Sequence, residues 1–376
     1  MRIDATRSFA LDLARGLCLI LMVVDHLPQS PFFRFSNINF GPLGFFSGAS
    51  AFVLISGVVS AKAYGSILLR DGAEAAWRRV LKRMAQIYAV NAGIFLLLFV
   101  GVSTHVLQGQ VWRHEVSLFF TDPGAALALG LLMIYRPGFL DILPMYLLFL
   151  LLVIPALQAI RAGRARQVLA LSFLAWLWAQ LDIPHAVALN PLGYQLLFVV
   201  GLVIGATAIS EALRSTAFKR IAQAAIAVAV VLLVLRGAVG FLGLSGASLL
   251  PEWRHLLTNS ANNGALRVVS FAVVALSAVY LWPRMPASLK QHNAAARWVS
   301  FLGRHSLPVF SWSILMTYLS MAVMPPHSSP AWRALDMLLV ISSLAIPAFI
   351  DHWMKKAKRA NIGRATALAT NDTTGA

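Results

Sequence analysis

Four ionisable side chains stand in one apolar run, LDLARGLCLILMVVDHLP, and their spacing is the first chemical signal in the chain. Arg15 and His26 are eleven residues apart. A helix makes that about three turns, so both lie on one face roughly 16 Å apart along the axis. Asp12, one turn before Arg15, joins that face, and Asp25 sits about 100° around the helix from His26. An ionisable group at membrane depth costs at least ~2.5–3.5 kcal/mol, so it normally faces protein or water and serves a purpose there. Histidine, with an ordinary pKa of about 6.5, suits removal of a hydroxyl proton at neutral pH. Two plainer readings stand beside this one. The four groups can be seated at the two membrane interfaces, and Asp12 with Arg15 can be a simple i, i+3 pair.

Two more clusters carry cations. In WRRVLKRMAQIYAV, Arg79 and Arg83 share a face at i, i+4, and Arg78 with Lys82 forms a second such pair. Arg and Lys clamp phosphates well, so the cluster fits a phosphate-bearing ligand. It equally fits cations that only orient the chain. In FLGRHSLP, Arg304, His305 and Ser306 fall just inside a helix start, as donor contacts or with Gly303 and Ser306 shaping and capping that start. Ser47, Ser50 and Ser56 belong to a small-residue run suited to close helix packing. Asp141, Asn190 and Gln195 are candidate wall residues for an acceptor site.

The elements that must position these groups are set by composition. Of 376 residues, 59% are hydrophobic and 12% charged, with a mean hydropathy of +0.74. Soluble domains run near 45–50% apolar and about 25% charged. The expected fold is therefore all-α, a polytopic integral membrane helix bundle. Ten apolar runs approach the ~20 residues needed to span hydrocarbon. They lie near 9–27, 43–65, 83–103, 140–160, 167–182, 192–210, 220–243, 265–283, 299–324 and 332–353. The shorter run 123–135 reads as a re-entrant or interfacial helix. The first run is interrupted by charge and no small-residue cleavage site follows it, so it reads as a retained span. Residues 1–359 form a single transmembrane domain in this reading, with a disordered cytoplasmic tail at 360–376.

With the N-terminus cytoplasmic, 21 Lys and Arg fall on the inner side and five (Arg34, Arg113, Arg136, Arg254 and Arg333) on the outer. That bias supports about ten spans with both termini inside. It also accounts for the net charge of +17, so no nucleic-acid partner is expected. The single cysteine, Cys18, excludes a disulfide framework, and no metal centre is expected. Phosphate-loop, H-E-x-x-H and G-x-S-x-G signatures are absent from the sequence.

The run Leu11–Pro28 together with FFSGASAFVLISGVVSAKAYG (Phe45–Gly65) resembles the N-terminal part of the OpgC family. FLDILPMYLLFLLLVIP (Phe139–Pro155), LNPLGYQLLFVVGLVIG (Leu189–Gly205) and FLGRHSLPVFSWSILMTYLS (Phe301–Ser320) match in order. The resemblance extends to the wider acyltransferase family 3 superfamily, whose first helix carries an Arg, ten residues, then a His. It implies a bacterial inner-membrane O-acyltransferase that moves a succinyl group from succinyl-CoA, a substrate and not a bound cofactor, to hydroxyls of periplasmic glucan. His26, with Asp25 and Arg15, would then be catalytic, and Arg83, Arg79, Arg304 and His305 would hold the donor. The loops near 104–122 and 244–263 carry no usable resemblance and are expected to choose the acceptor. A transporter or glycan flippase with a buried Arg/His relay is the rival, although no internal repeat of the transporter kind is found.

Overall fold

Helix forms in each of the ten apolar runs, where lipid would offer the backbone no other hydrogen-bond partner. The computed structural model describes residues 9–27, 47–104, 116–181, 190–207, 213, 215–241, 261–290, 293–323 and 328–374, and no strand occurs among them. The elements in order are α1 (Phe9–His26), α2 (Gly48–Arg70), α3 (Gly72–Ser103), α4 (Ser117–Thr121), α5 (Pro123–Leu131), α6 (Ile142–Ala159) and α7 (Ala165–Gln180). They continue with α8 (Pro191–Ala206), α9 (Thr216–Phe241), α10 (Ala265–Leu281), α11 (Ala294–Arg304), α12 (Ser306–Val323), α13 (Pro330–Ser343) and α14 (Ala345–Thr374). Arg2, Arg7, Arg34, Arg113, Arg214 and Arg254, and most of the two loops expected to choose an acceptor, lie outside the described residues.

Among the described residues, six stretches are long and apolar enough to cross a membrane: Gly48–Arg70, Gly72–Ser103, Ile142–Gln180, Ala265–Arg284, Ser306–Val323 and Pro330–Lys358. Part of the difference from the expected ten has an identifiable cause. The α1 helix carries Asp12, Arg15 and Asp25 within its 18 residues, and α8 has only 16. The stretch Ile142–Gln180 is one run by composition but two helices by geometry, because Gly163 breaks it with a φ of 78°. Phe149 of α6 and Ser172 of α7 both touch one turn of α8, at Phe198 and Gln195. A straight helix would hold Phe149 and Ser172 about 35 Å apart, so the chain folds back at Gly163.

Two expected spans are each broken in two. The run 299–324 breaks at His305, and 332–353 breaks at Leu344. Each preceding helix ends four residues before a proline, Arg304 before Pro308 and Ser343 before Pro347. A proline ring clashes with the carbonyl of residue i−4 and removes one helical bond. Pro155 leaves α6 unbroken, so a proline alone does not decide the matter. The two broken sites add Gly303 and the pair Ser342–Ser343, which weaken a helix locally. The last helix runs to Thr374, and so continues into the 360–376 segment expected to lack structure. The run 123–135 contains α5, capped by the Asp122 carboxylate on the Ala125 N–H at 2.9 Å, with Pro123 at its first position.

Helices cross where side chains are missing. A Cβ placed on Gly16 would overlap the Val299 carbonyl, and one on Gly303 would overlap that of Asp12, so α1 and α11 meet backbone to backbone. Gly57 of α2 meets Gly201 and the Phe198 carbonyl of α8 in the same way; Gly201 and Gly205 form the small-x-x-x-small spacing that allows such approach in lipid. Strand-like ambiguity of direction does not arise, because side-chain contacts fix it. Gly48 lies against Cys18 and Met22 while Phe52 lies against Arg15, so α2 runs antiparallel to α1. Ser60 bonds Tyr146 and Gly65 accepts from Arg161, so α6 runs parallel to α2 and antiparallel to α3.

Candidate functional site

The helix α1 sets two levels in the bundle, one at Arg15 and one at His26. At the first level, the Arg15 guanidinium donates to the Ser306 hydroxyl at 2.5 Å and stands 5.7 Å over the Phe52 ring. Ser306 is the first residue of α12, made available by the break at His305. Arg304 pairs with Asp12 across the α1–α11 crossing, Nε to Oδ2 at 3.4 Å, with the Asp12 side chain buried. Asp12 thus has a remote partner, Arg304, that local spacing did not suggest. The half-turn at His305 seats its ring 6% exposed, with Nδ1 2.5 Å from an Asp351 carboxylate oxygen on α14. Lys355 donates to that same oxygen at 2.5 Å.

These groups border a cleft of about 620 Å³ between α3, the α11–α12 break and α14. Arg83 and Gln86 line its α3 side; Arg15, Arg304, His305, Asp351 and Lys355 line the rest. Five cationic or ionisable basic groups face one acid, which suits a polyanionic ligand. A smaller chamber of about 30 Å³, room for about two waters, shares Arg15, Arg83, Ser306 and Leu307 with the cleft. Its other walls are mostly apolar, including Phe52, Ile142, Phe149 and Phe310, with Ser56 and Tyr146 as hydroxyls.

Four of the expected donor-end residues, Arg15, Arg83, Arg304 and His305, thus converge on one cleft from three separate stretches of sequence. Arg79 does not join them. It is exposed, one turn nearer the start of α3, and its traceable influence is on Tyr64. The reason is geometric: i, i+4 partners share a face, but only Arg83 is deep enough to reach the cavity.

At the second level the His26 ring packs on Phe139, centroids 4.4 Å apart. Phe139 has a φ of 69°, a left-handed backbone that costs a non-glycine residue about 1–3 kcal/mol and tends to mark functional sites. Its position is fixed from both sides: its ring meets Tyr318 at 5.7 Å, and the Tyr318 hydroxyl donates to the carbonyl of Gly138. Ser306 and Tyr318 are twelve residues apart on α12, about 18 Å, which matches the 16 Å between Arg15 and His26. The helices α1 and α12 therefore run parallel, joining the same two levels.

Asp25 does not orient His26. No hydrogen bond joins the two, and the electrostatic neighbour of Asp25 is Arg267 on α10. Arg267 in turn neighbours Tyr194, which shares a hydrogen bond with Ser50 and lies in the field of Asp141. Asp141 is thus part of a linked polar set beside His26. Asn190 and Gln195 instead serve the fold. The Asn190 carboxamide caps α8 through the Leu192 N–H and donates to Asn262. Gln195 exchanges hydrogen bonds with the hydroxyl and carbonyl of Ser172. Asp351, Lys355, Phe139 and Arg267 were not singled out from sequence as site residues. Asp351 carried a usable signal, a carboxylate inside an apolar run.

An all-helical, multi-pass membrane protein with ionisable groups at two levels of its interior is the class that this fold and site define. More particularly, the chain belongs to the OpgC family: the model of that family, described as OpgC protein, matches residues 7–356. Neither a curated protein nor a solved structure matches the chain.

Proposed function

We propose that this chain is an O-acyltransferase of the OpgC type in the bacterial inner membrane. It would move a succinyl or similar acyl group from acyl-CoA to hydroxyls of a periplasmic glucan. The Arg15 level faces the cytoplasm and receives the donor, and the His26 level faces the periplasm and receives the glucan. Family membership suggests the glucan substrate; the wider acyltransferase family 3 relationship rests on the Arg-to-His spacing of α1.

The observation that carries the reading is the gathering of Arg15, Arg83, Arg304, His305 and Lys355 on one cleft, which shares Arg15, Arg83 and Ser306 as walls with the inner chamber. Donor phosphates pair with the cleft cations, and the arm bearing the thioester extends through the bundle towards His26. His26 takes the proton of a glucan hydroxyl as its oxygen attacks the thioester carbonyl. The carbon–sulfur bond breaks, and the proton on His26 goes to the departing thiolate, leaving a glucan ester and free coenzyme A. A base so placed contributes about 10²–10⁴-fold.

The test is to incubate the purified protein with succinyl-CoA and glucan, following free thiol and the mass of the glucan. Glucan-dependent thiol release with a matching mass gain is expected. Glucan passage across proteoliposomes with no thioester consumed would favour the transporter reading and remove this one.

A further inference from the structure

The acyl-CoA reading uses the cations of the cleft and leaves the apolar part of its lining without a role. On α3 that lining passes from Arg83 and Gln86 to Ala89 and Val90, and on α14 from Lys355 and Asp351 to Ile350 and Pro347. In both helices the apolar end is the deeper one. Arg83 shares the inner chamber with Arg15, and Val90 follows seven residues on, two turns and about 10 Å along nearly the same face. That direction leads towards the His26 level, because α3 runs antiparallel to α6, which starts just after Phe139. On α14, Asp351 meets His305, whereas Ser343, just before that helix, bonds Trp312, six residues beyond Ser306 on α12. Pro347 thus lies deeper than Lys355 by about 12 Å along the axis. Charge at the mouth gives way to hydrocarbon with depth on both walls.

The deep part also opens sideways. Ile350 is 53% exposed and Ala89 is exposed, each within a stretch long and apolar enough to cross a membrane. In a bilayer, surface at that depth meets acyl chains and not water. A soluble polyanion matches the mouth alone. A ligand that matches both parts has a phosphate at one end and hydrocarbon at the other, and it enters laterally. The volume of about 620 Å³ is within the range of small-molecule sites. We propose that the cleft binds an anionic phospholipid from the leaflet at the Arg15 level, its phosphate among Arg83, Arg304 and Lys355 and its chains along Val90, Pro347 and Ile350. Basic pockets between membrane helices hold anionic headgroups in this way. The five basic groups of the mouth repel the ammonium of a zwitterionic headgroup, which sets the preference. The lipid and a soluble donor share these cations and so take turns in the cleft.

The test is native mass spectrometry of the full-length protein in detergent, with phosphatidic acid and phosphatidylcholine of the same chains at equal concentration. Phosphatidic acid should be retained about tenfold over phosphatidylcholine, and Lys355→Gln should shrink that preference. Ile350→Asn should lower phosphatidic acid retention about tenfold, the size of one apolar side-chain contact. Leu339→Asn, at an exposed position of α13 that does not line the cleft, should leave retention unchanged. Glycerol 3-phosphate, the same headgroup without chains, should bind more weakly and be indifferent to Ile350→Asn. Equal retention of the two lipids, or equal losses in Ile350→Asn and Leu339→Asn, would overturn the assignment. Glycerol 3-phosphate binding as tightly as phosphatidic acid would also overturn it, leaving a phosphate site with no use for chains. Should Ile350→Asn fail to insert, Ile350→Thr repeats the comparison with the same expectations. The assay contains no acyl donor, so its outcome does not depend on the acyl-CoA reading.

Discussion

The two levels of the bundle handle charge in opposite ways. At the Arg15 level, cations gather around an open cleft, and the carboxylate of Asp351 is shared between His305 and Lys355. At the His26 level, the Phe139 ring, backed by Tyr318, packs on the histidine, and Asp25, Arg267, Tyr194 and Asp141 form a chain of neighbouring fields. The first arrangement tolerates a ligand that comes and goes, since its charges are only partly matched without one. The second fixes a ring in place, at the cost of a left-handed backbone at Phe139. Recognition and chemistry can thus be separated within one helix, α1, and they should fail separately.

The sharpest way to break that division is at His26. His26→Ala should lower acyl transfer by about 10²–10⁴-fold while donor affinity stays within twofold, and His26→Gln should be nearly as damaged, since it cannot take a proton. Near-normal turnover in the glutamine variant would make the ring a positioning group and erase the contrast. Next in size is Arg83→Ala, expected to raise the donor KM by about 10–100-fold, the range for a lost charge-assisted bond. Arg79→Ala, one turn away and outside the cleft, should change it less than twofold; matching rises would mean the cations act only as a diffuse field.

A smaller effect is expected from Phe139→Ala, which removes the ring against His26. Turnover should fall about 3–10-fold, in line with a lost aromatic contact, with the donor KM unaltered. A KM effect there would show that the levels are not independent. The smallest is Ser306→Ala. Arg15 keeps its charge and loses one partner, so the donor KM should shift by about threefold in steady-state kinetics and kcat should hold.

Much of this was legible in the residues. Apolar run length placed the long helices though not α4, and the demand that buried charges face protein led to Arg15, Arg83 and His305 from three distant stretches. The breaks at His305 and Leu344 were written in Pro308 and Pro347 but were obscured by the apolar continuity around them. Reading 299–324 as one span hid the half-turn that seats His305 and brings Ser306 to Arg15. Pairings were harder. Asp12 also meets Arg304, remote in sequence, because the bare backbone at Gly303 brings α11 onto α1. Local spacing shows the near partners, and only tertiary approach supplies the remote ones. Asn190 and Gln195 looked like site residues for the converse reason: their partners, Asn262 and Ser172, are remote in sequence.

The bare crossing of α1 and α11 also has a mechanical consequence. Gly16 adjoins Arg15, and Gly303 lies two residues from His305, so the contact sits beside the cleft and far from His26. Two backbones pressed together cannot slide, but they can pivot. About that pivot α1 is a lever arm of roughly 16 Å, so each degree of tilt swings His26 by about 0.3 Å. A tilt of three or four degrees at the cleft carries the ring by about an ångström, the scale on which a reacting group comes into or falls out of line.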